Sequence, residues 1–227
     1  MDACYRAVDV SEFEEARREL TSLTAAHEKR LLLWLAARIP ATIGPDHLTA
    51  LGFLGALAAG GAYGWSAANP LWLHAVNAGL VVNWFGDSLD GTLARHRNRL
   101  RPRYGFYVDH MVDAFGALAL LVGLGASGLM HPWIAAGLVV CYFLLQIEIY
   151  LATYSLGTFK ISFGLFGGTE LRILLVLANL AVLRWPAFGG VRLYDVAGVL
   201  GVVGLAIAVI TSTTRNTRKL YDLERLP

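Results

Sequence analysis

The chain has 227 residues, 56% of them hydrophobic and only 16% charged, with a net charge of +2; a soluble domain usually carries about 25% charged residues. Residues 47–86 hold no charge over 40 positions and residues 114–147 none over 34, each run longer than the ~20 residues that cross a bilayer as a helix. This excludes a soluble enzyme, a disordered tail and a secreted disulfide scaffold, and the near-balanced charge offers no patch for nucleic acid.

The first 30 residues are polar and acidic, without the apolar core of a cleavable leader. Two cysteines, Cys4 and Cys141, supply neither a disulfide framework nor a metal set. Residues 11–39 predict a helix lying on the membrane surface. Ser11 and Glu14 fit a capping box, and Leu20, Leu23, Leu31, Leu35 and Ile39 recur near helical spacing opposite Arg17, Arg18, Lys29 and Arg30. An ordinary helix packed on a soluble partner would read the same way, but a bilayer-length run follows directly. Gly44-Pro45 is expected to stop this helix.

Six membrane spans are predicted next: Leu48–Ala68, Leu71–Leu93, Phe106–Met130, Trp133–Leu156, Thr169–Trp185 and Val196–Thr213. The expected fold is therefore all-α and integral to the membrane, six transmembrane helices preceded by an amphipathic interfacial helix. It divides into an interfacial segment over residues 1–44, a membrane domain over 45–214 and a tail over 215–227. Seventeen of the Lys and Arg residues fall on the side of the termini and even-numbered loops, against two (Arg184 and Arg192) on the other. The excess of positive charge puts both termini in the cytoplasm. Gly52, Gly55, Gly60, Gly61 and Gly64 in the first span, and Gly198, Gly201 and Gly204 in the sixth, allow close helix packing and could serve a homodimer face.

The second and third spans carry the informative residues. Asp87, Asp90, Gly91 and Ala94 share one helical face at the end of the second, extended by Asn83; Gly105, Asp109 and Asp113 share one at the start of the third. The loop between them is short, so the two helices are expected to be antiparallel neighbours. Four carboxylates then converge and need neutralising. Without Cys or paired His, they favour hard cations such as Mg²⁺ or Mn²⁺, and two such ions could clamp a diphosphate. The acids could instead pair with Arg95, Arg97, Arg99, Arg101 and Arg103, but ionisable residues within membrane spans are expensive to bury and are functional by default. A divalent-cation transporter or a catalytically silent scaffold would also use such acids.

Asp87-Ser-Leu-Asp90-Gly91-Thr-Leu-Ala94-Arg95, nine residues, then Gly105-Phe-Tyr-Val-Asp109-His-Met-Val-Asp113 resembles the signature of the CDP-alcohol phosphotransferase family. Every fixed position is present. Pro45-Asp46-His47-Leu48-Thr49 is similar to the family's P-N-x-L-T segment, with Asp46 in place of Asn. The resemblance implies an enzyme in which an alcohol hydroxyl attacks the β-phosphorus of a CDP-linked donor, CMP leaves and a phospholipid forms, one substrate being a lipid. It implies that Asp87, Asp90, Asp109 and Asp113 hold two Mg²⁺ or Mn²⁺ ions. Asp113 would be the general base, and Gly91, Ala94, Arg95 and Gly105 would contact the nucleotide.

Donors in the family divide into CDP-aminoalcohols and CDP-diacylglycerol. Asp109-His110, and Thr153-Tyr154 with Gly157-Thr158 and Thr169-Glu170, resemble the ethanolamine and choline phosphotransferase branch. Candidate acceptor or headgroup contacts are His110, Glu148, Lys160 and Glu170. Three of them have a plainer reading: His110 as a partner of the metal-binding acids, Glu148 as a helix tie to Arg172 or Lys160, and Lys160 as a topology signal. A phosphatidyltransferase using CDP-diacylglycerol and a polar alcohol or sugar phosphate is the alternative.

Overall fold

The computed structural model describes residues 25–156, 167–185 and 190–225. Among them lie seven helices and no sheet: α1 Ala25–Ala36, α2 Pro45–Ser66, α3 Trp72–His96, α4 Pro102–Ala126, α5 Pro132–Leu156, α6 Gly168–Arg184 and α7 Leu193–Leu223. Of the surface helix expected over 11–39, only the part from Ala25 onward is described. It ends at Ala36, ahead of Gly44-Pro45, because Pro40 disfavours helix at Ile39. The Arg97 guanidinium takes over the turn instead, donating to the carbonyls of Ile39, Pro40 and Ile43 at 2.8, 2.9 and 2.6 Å.

A helix occupies each of the six expected spans. Four of them, α2, α4, α5 and α7, are long and apolar enough to cross a membrane, so the chain is an integral membrane protein. The other two fall short for identifiable reasons. α3 carries its aspartates and Arg95 in its last turns, and α6 has only 17 residues, about 26 Å at 1.5 Å per residue. α7 continues ten residues past the expected end at Thr213, so most of the predicted tail is helix.

Pairwise packing runs in a closed order, α2 to α3 to α6 to α7 to α5 to α4 and back to α2, with α1 resting on α3. α3 and α4 are joined by a short turn, and each packs mainly on α2. The turn is tight, with Asn98 at a φ of 52°, a left-handed conformation that asparagine tolerates. Pro102 then starts α4, where a missing N–H is harmless.

Glycine decides why α2 is the common support. A Cβ on Gly86 of α3 would overlap the Gly52 nitrogen and the Leu48 carbonyl oxygen of α2, and one on Gly123 of α4 would overlap the Gly60 carbonyl. Backbone therefore meets backbone on both sides of α2, as in small-residue interfaces within lipid. Among the described residues a Cβ on Gly61 or Gly64 of α2, or on Gly204 of α7, would meet nothing within 4 Å, and these three glycines take no part in such contacts.

At the far end of the ring from the aspartates lies a buried polar knot. Tyr63 and Tyr194 both donate to Asn179 Oδ1, at 3.0 and 2.5 Å, and Asn179 Nδ2 donates to Asn77 at 2.7 Å. Four helices (α2, α3, α6 and α7) are tied there.

Gly86→Ala is expected to lower stability by about 1–3 kcal/mol through overpacking, whereas Gly61→Ala should change it little. Thermal unfolding of the two variants in one detergent checks the contrast.

Candidate active site

Asp87 belongs to the last three turns of α3 and Asp109 and Asp113 to the first four of α4. Each offers a carboxylate oxygen, and the three atoms lie within 4.8 Å of one another. α3 and α4 both pack mainly on α2, and these side chains converge from the two helices. All the donors in this group are carboxylate oxygens, a hard set that suits Mg²⁺ or Mn²⁺ better than Zn²⁺. The residues present therefore fit a divalent ion.

Asp90 stands outside that group of three. Its Oδ2 accepts from the Thr49 hydroxyl of α2 at 2.5 Å and its Oδ1 from the Gly91 N–H at 2.5 Å. Thr49 thus gives the Pro45–Thr49 segment a concrete task, holding one acid of the motif. Asp46 pairs with Arg101 of the α3–α4 turn, so the replacement of Asn there adds a surface ion pair between the start of α2 and that turn.

Two of the neighbouring arginines are engaged away from the cluster. Arg97 caps carbonyls and Arg101 binds Asp46. Arg95 is exposed and lies over Gly91, where an added Cβ would stand 3.6 Å from its guanidinium. A cation from α6 also reaches the acids. Arg172 Nη2 donates to Asp87 Oδ2 at 2.7 Å and its Nε to Asn83 Oδ1 at 2.7 Å, while Asn83 Nδ2 donates to the Gly52 carbonyl at 3.0 Å. The pair is only 18% and 23% exposed, and so is screened less than a surface pair. Sequence reasoning had assigned Arg172 to topology or to Glu148. The available signal was an arginine in the first turn of an otherwise apolar span.

Of the nucleotide candidates, among the described residues Gly105 faces open space and Gly91 meets only the Arg95 side chain, while Ala94 is buried in the packing of α3. His110 Nδ1 lies 2.6 Å from the Phe106 carbonyl; a carbonyl only accepts, so Nδ1 carries the hydrogen. The His110 ring stacks near Phe106 at 4.2 Å and meets Tyr150 edge-on at 5.4 Å. Tyr150 was missed from the sequence. Its hydroxyl is buried with no hydrogen-bond partner among the described residues, in a shell with Phe106 and His110 on the helix that bears Asp109 and Asp113.

The remaining candidates separate. Glu148 faces a cleft between α5 and α7 with Arg215, Asn216 and Lys219, and accepts from Asn216 Nδ2 at 2.6 Å; Arg172 is engaged with Asp87 instead. Glu170 accepts from the Gly167 N–H at 2.9 Å and so caps its own helix. Lys160 lies outside the described residues.

A model of the CDP-alcohol phosphatidyltransferase family matches residues 43–212, about three quarters of the chain. The chain belongs to that family. No curated protein matches it. Members of the CDP-alcohol phosphatidyltransferase family are transferases of substituted phosphate groups that work in phospholipid synthesis and depend on divalent metal. The match covers all of α2–α6 and most of α7, and so includes every aspartate of the cluster.

Arg172→Gln leaves Asp87 without its partner and should lower thermal stability in chelator by about 1–3 kcal/mol. Added Mn²⁺ should then raise the melting temperature more than it does for the unsubstituted chain, which a thermal-shift titration measures.

Proposed function

We propose that this chain transfers a substituted phosphate from a CDP-linked donor to an alcohol hydroxyl, with release of CMP, at the cytoplasmic end of a six-span membrane domain. The observation that carries the reading is the convergence of Asp87, Asp109 and Asp113 within 4.8 Å on the family-matched segment. In this reading Asp87, Asp90, Asp109 and Asp113 hold two divalent ions. Bound there, Mg²⁺ or Mn²⁺ supplies charge neutralisation to the pyrophosphate and to the transferring phosphoryl group.

The chain's own residues do the rest. Gly105 and Gly91 leave the backbone open for the flat cytidine, with Arg95 beside it. Asp113 takes the proton of the acceptor hydroxyl as that oxygen bonds to the β-phosphorus, and the bond from this phosphorus to the CMP oxygen breaks. Arg172 keeps Asp87 oriented. The unpartnered Tyr150 hydroxyl supports a substrate contact, since a polar ligand atom would complete its hydrogen bond. Asp109-His110 favours a CDP-aminoalcohol donor with a diacylglycerol acceptor; CDP-diacylglycerol with a polar alcohol is the competing assignment. CMP release over a grid of both donor classes distinguishes them. The same assay separates either enzyme from a transporter, which would move Mg²⁺ across liposomes without forming CMP.

Asp113→Asn should fold normally and lose at least about 100-fold in CMP release, the usual scale of a general base; a fully active variant would remove Asp113 from that role. Chelation with EDTA should stop turnover in the unsubstituted chain. Tyr150→Phe is expected to hold or raise the melting temperature, because a buried unpaired hydroxyl costs about 1–3 kcal/mol, while KM for one substrate rises several-fold. An unchanged KM would dissociate Tyr150 from binding.

A further inference from the structure

Glu28, on the interfacial helix α1, makes a contact that the transfer chemistry does not call for. Its Oε1 accepts from Trp84 Nε1 at 2.8 Å, from the Ser88 hydroxyl at 3.3 Å and from the Thr169 hydroxyl at 2.7 Å. The first two donors lie on α3, one turn apart, and bracket Asp87. The third lies on α6, three residues before Arg172. One carboxylate oxygen thus joins α1 to both helices that form the Arg172–Asp87 pair. Leu32 and Ala36 of α1 pack with Leu89 and Leu93 of α3, so the oxygen is held on α3 by a surface that does not involve α6. Thr169 ties the first turn of α6 to α1, beside the direct contacts that Arg172 and Asn179 make with α3.

The consequence follows from what Arg172 occupies. Its Nη2 covers Asp87 Oδ2 at 2.7 Å, an oxygen of the group of three carboxylates. A guanidinium and a divalent cation compete for such an oxygen, both by contact and by charge. The firmness with which the first turn of α6 is held therefore sets how strongly the competitor is presented.

We propose that Glu28 is a positioning residue which, through Thr169, fixes Arg172 on Asp87 and so sets how readily the acidic cluster takes up a divalent cation. The inference rests on the metal reading above and makes the membrane-surface helix a determinant of metal affinity.

The test uses the full chain in detergent, without substrate, and reads Mn²⁺ binding directly from the free-ion electron paramagnetic resonance signal. Thr169→Val removes the α6 donor at nearly constant volume, and Glu28→Gln replaces the charge-assisted acceptor with a weaker neutral one. Each should lower the half-saturating Mn²⁺ concentration about threefold, the scale of one hydrogen bond. The double variant should shift no further than either single one, because both cut the same tie. In an Arg172→Gln background neither change should have an effect, an outcome that a merely structural role for Glu28 would not produce. Unaltered Mn²⁺ affinity in both single variants, or the same shift without Arg172, would overturn the proposal while leaving the metal site standing. Failure of the unsubstituted chain to bind Mn²⁺ would overturn the metal reading and this inference with it. If Glu28→Gln fails to fold, Thr169→Val with and without Arg172 decides alone.

Discussion

Holding Asp87, Asp109 and Asp113 within 4.8 Å of one another sets like charges together in a ring of apolar helices. At an effective dielectric constant near 20, each ionised pair at that separation repels by roughly 3 to 4 kcal/mol. Three kinds of contact make the arrangement tolerable. Arg172 places a positive charge on Asp87, Thr49 and the Gly91 amide satisfy Asp90, and the backbone of α2 fixes the helices from which the acids project. A divalent ion would relieve the remaining repulsion, so the same feature that costs stability supplies affinity for the metal.

The role of α2 explains why the glycines matter to chemistry. An apolar side chain at Gly86 or Gly123 would push α3 or α4 outward, and the aspartates on the same helix would move with it. Backbone contact gives a fixed separation that interdigitated side chains in lipid do not. The hydrophobic effect adds little there, since acyl chains are as apolar as leucine.

Much of this was legible in the sequence because it depends on helical periodicity alone. Asp87 and Asp90 on one face, and Gly105, Asp109 and Asp113 on another, follow from residue spacing, and the apolar runs give the helix positions to within a few residues at most ends. What could not be read depends on contacts distant in sequence. Arg172 reaches Asp87 across 85 positions and Glu28 reaches Thr169 across 141, and no local pattern encodes such pairings. The short loop between α3 and α4 made the two helices neighbours but did not show that each packs mainly on α2, because loop length limits how far apart two helix ends lie, not what supports their shafts. The glycine stripe on α2 was visible, but it did not say which two helices it receives. The tail after Thr213 read as separate because its charges end the apolar run, although Arg215, Arg218 and Lys219 are good helix formers that prolong α7 into water.

α6 shows how the parts combine. At 17 residues it is the shortest helix of the ring, and a line of polar contacts runs along its boundary with α3. Asn179 meets Asn77 near one end, Arg172 meets Asn83 and Asp87 further along, and Thr169 meets Glu28 beside Ser88 at the other. The order is antiparallel and each contact is directional. Interhelical hydrogen bonds in membranes contribute on average only about 0.6 kcal/mol each. Losing one therefore loosens a turn of α6 without dismantling the ring. The far end is locked by a knot shared with α2 and α7, whereas the near end is held by a threonine, an arginine and the acids themselves. The contacts at the far end serve packing alone, whereas those at the near end share an acid with the site, so a cation or pyrophosphate bound there would act on α6 through Arg172.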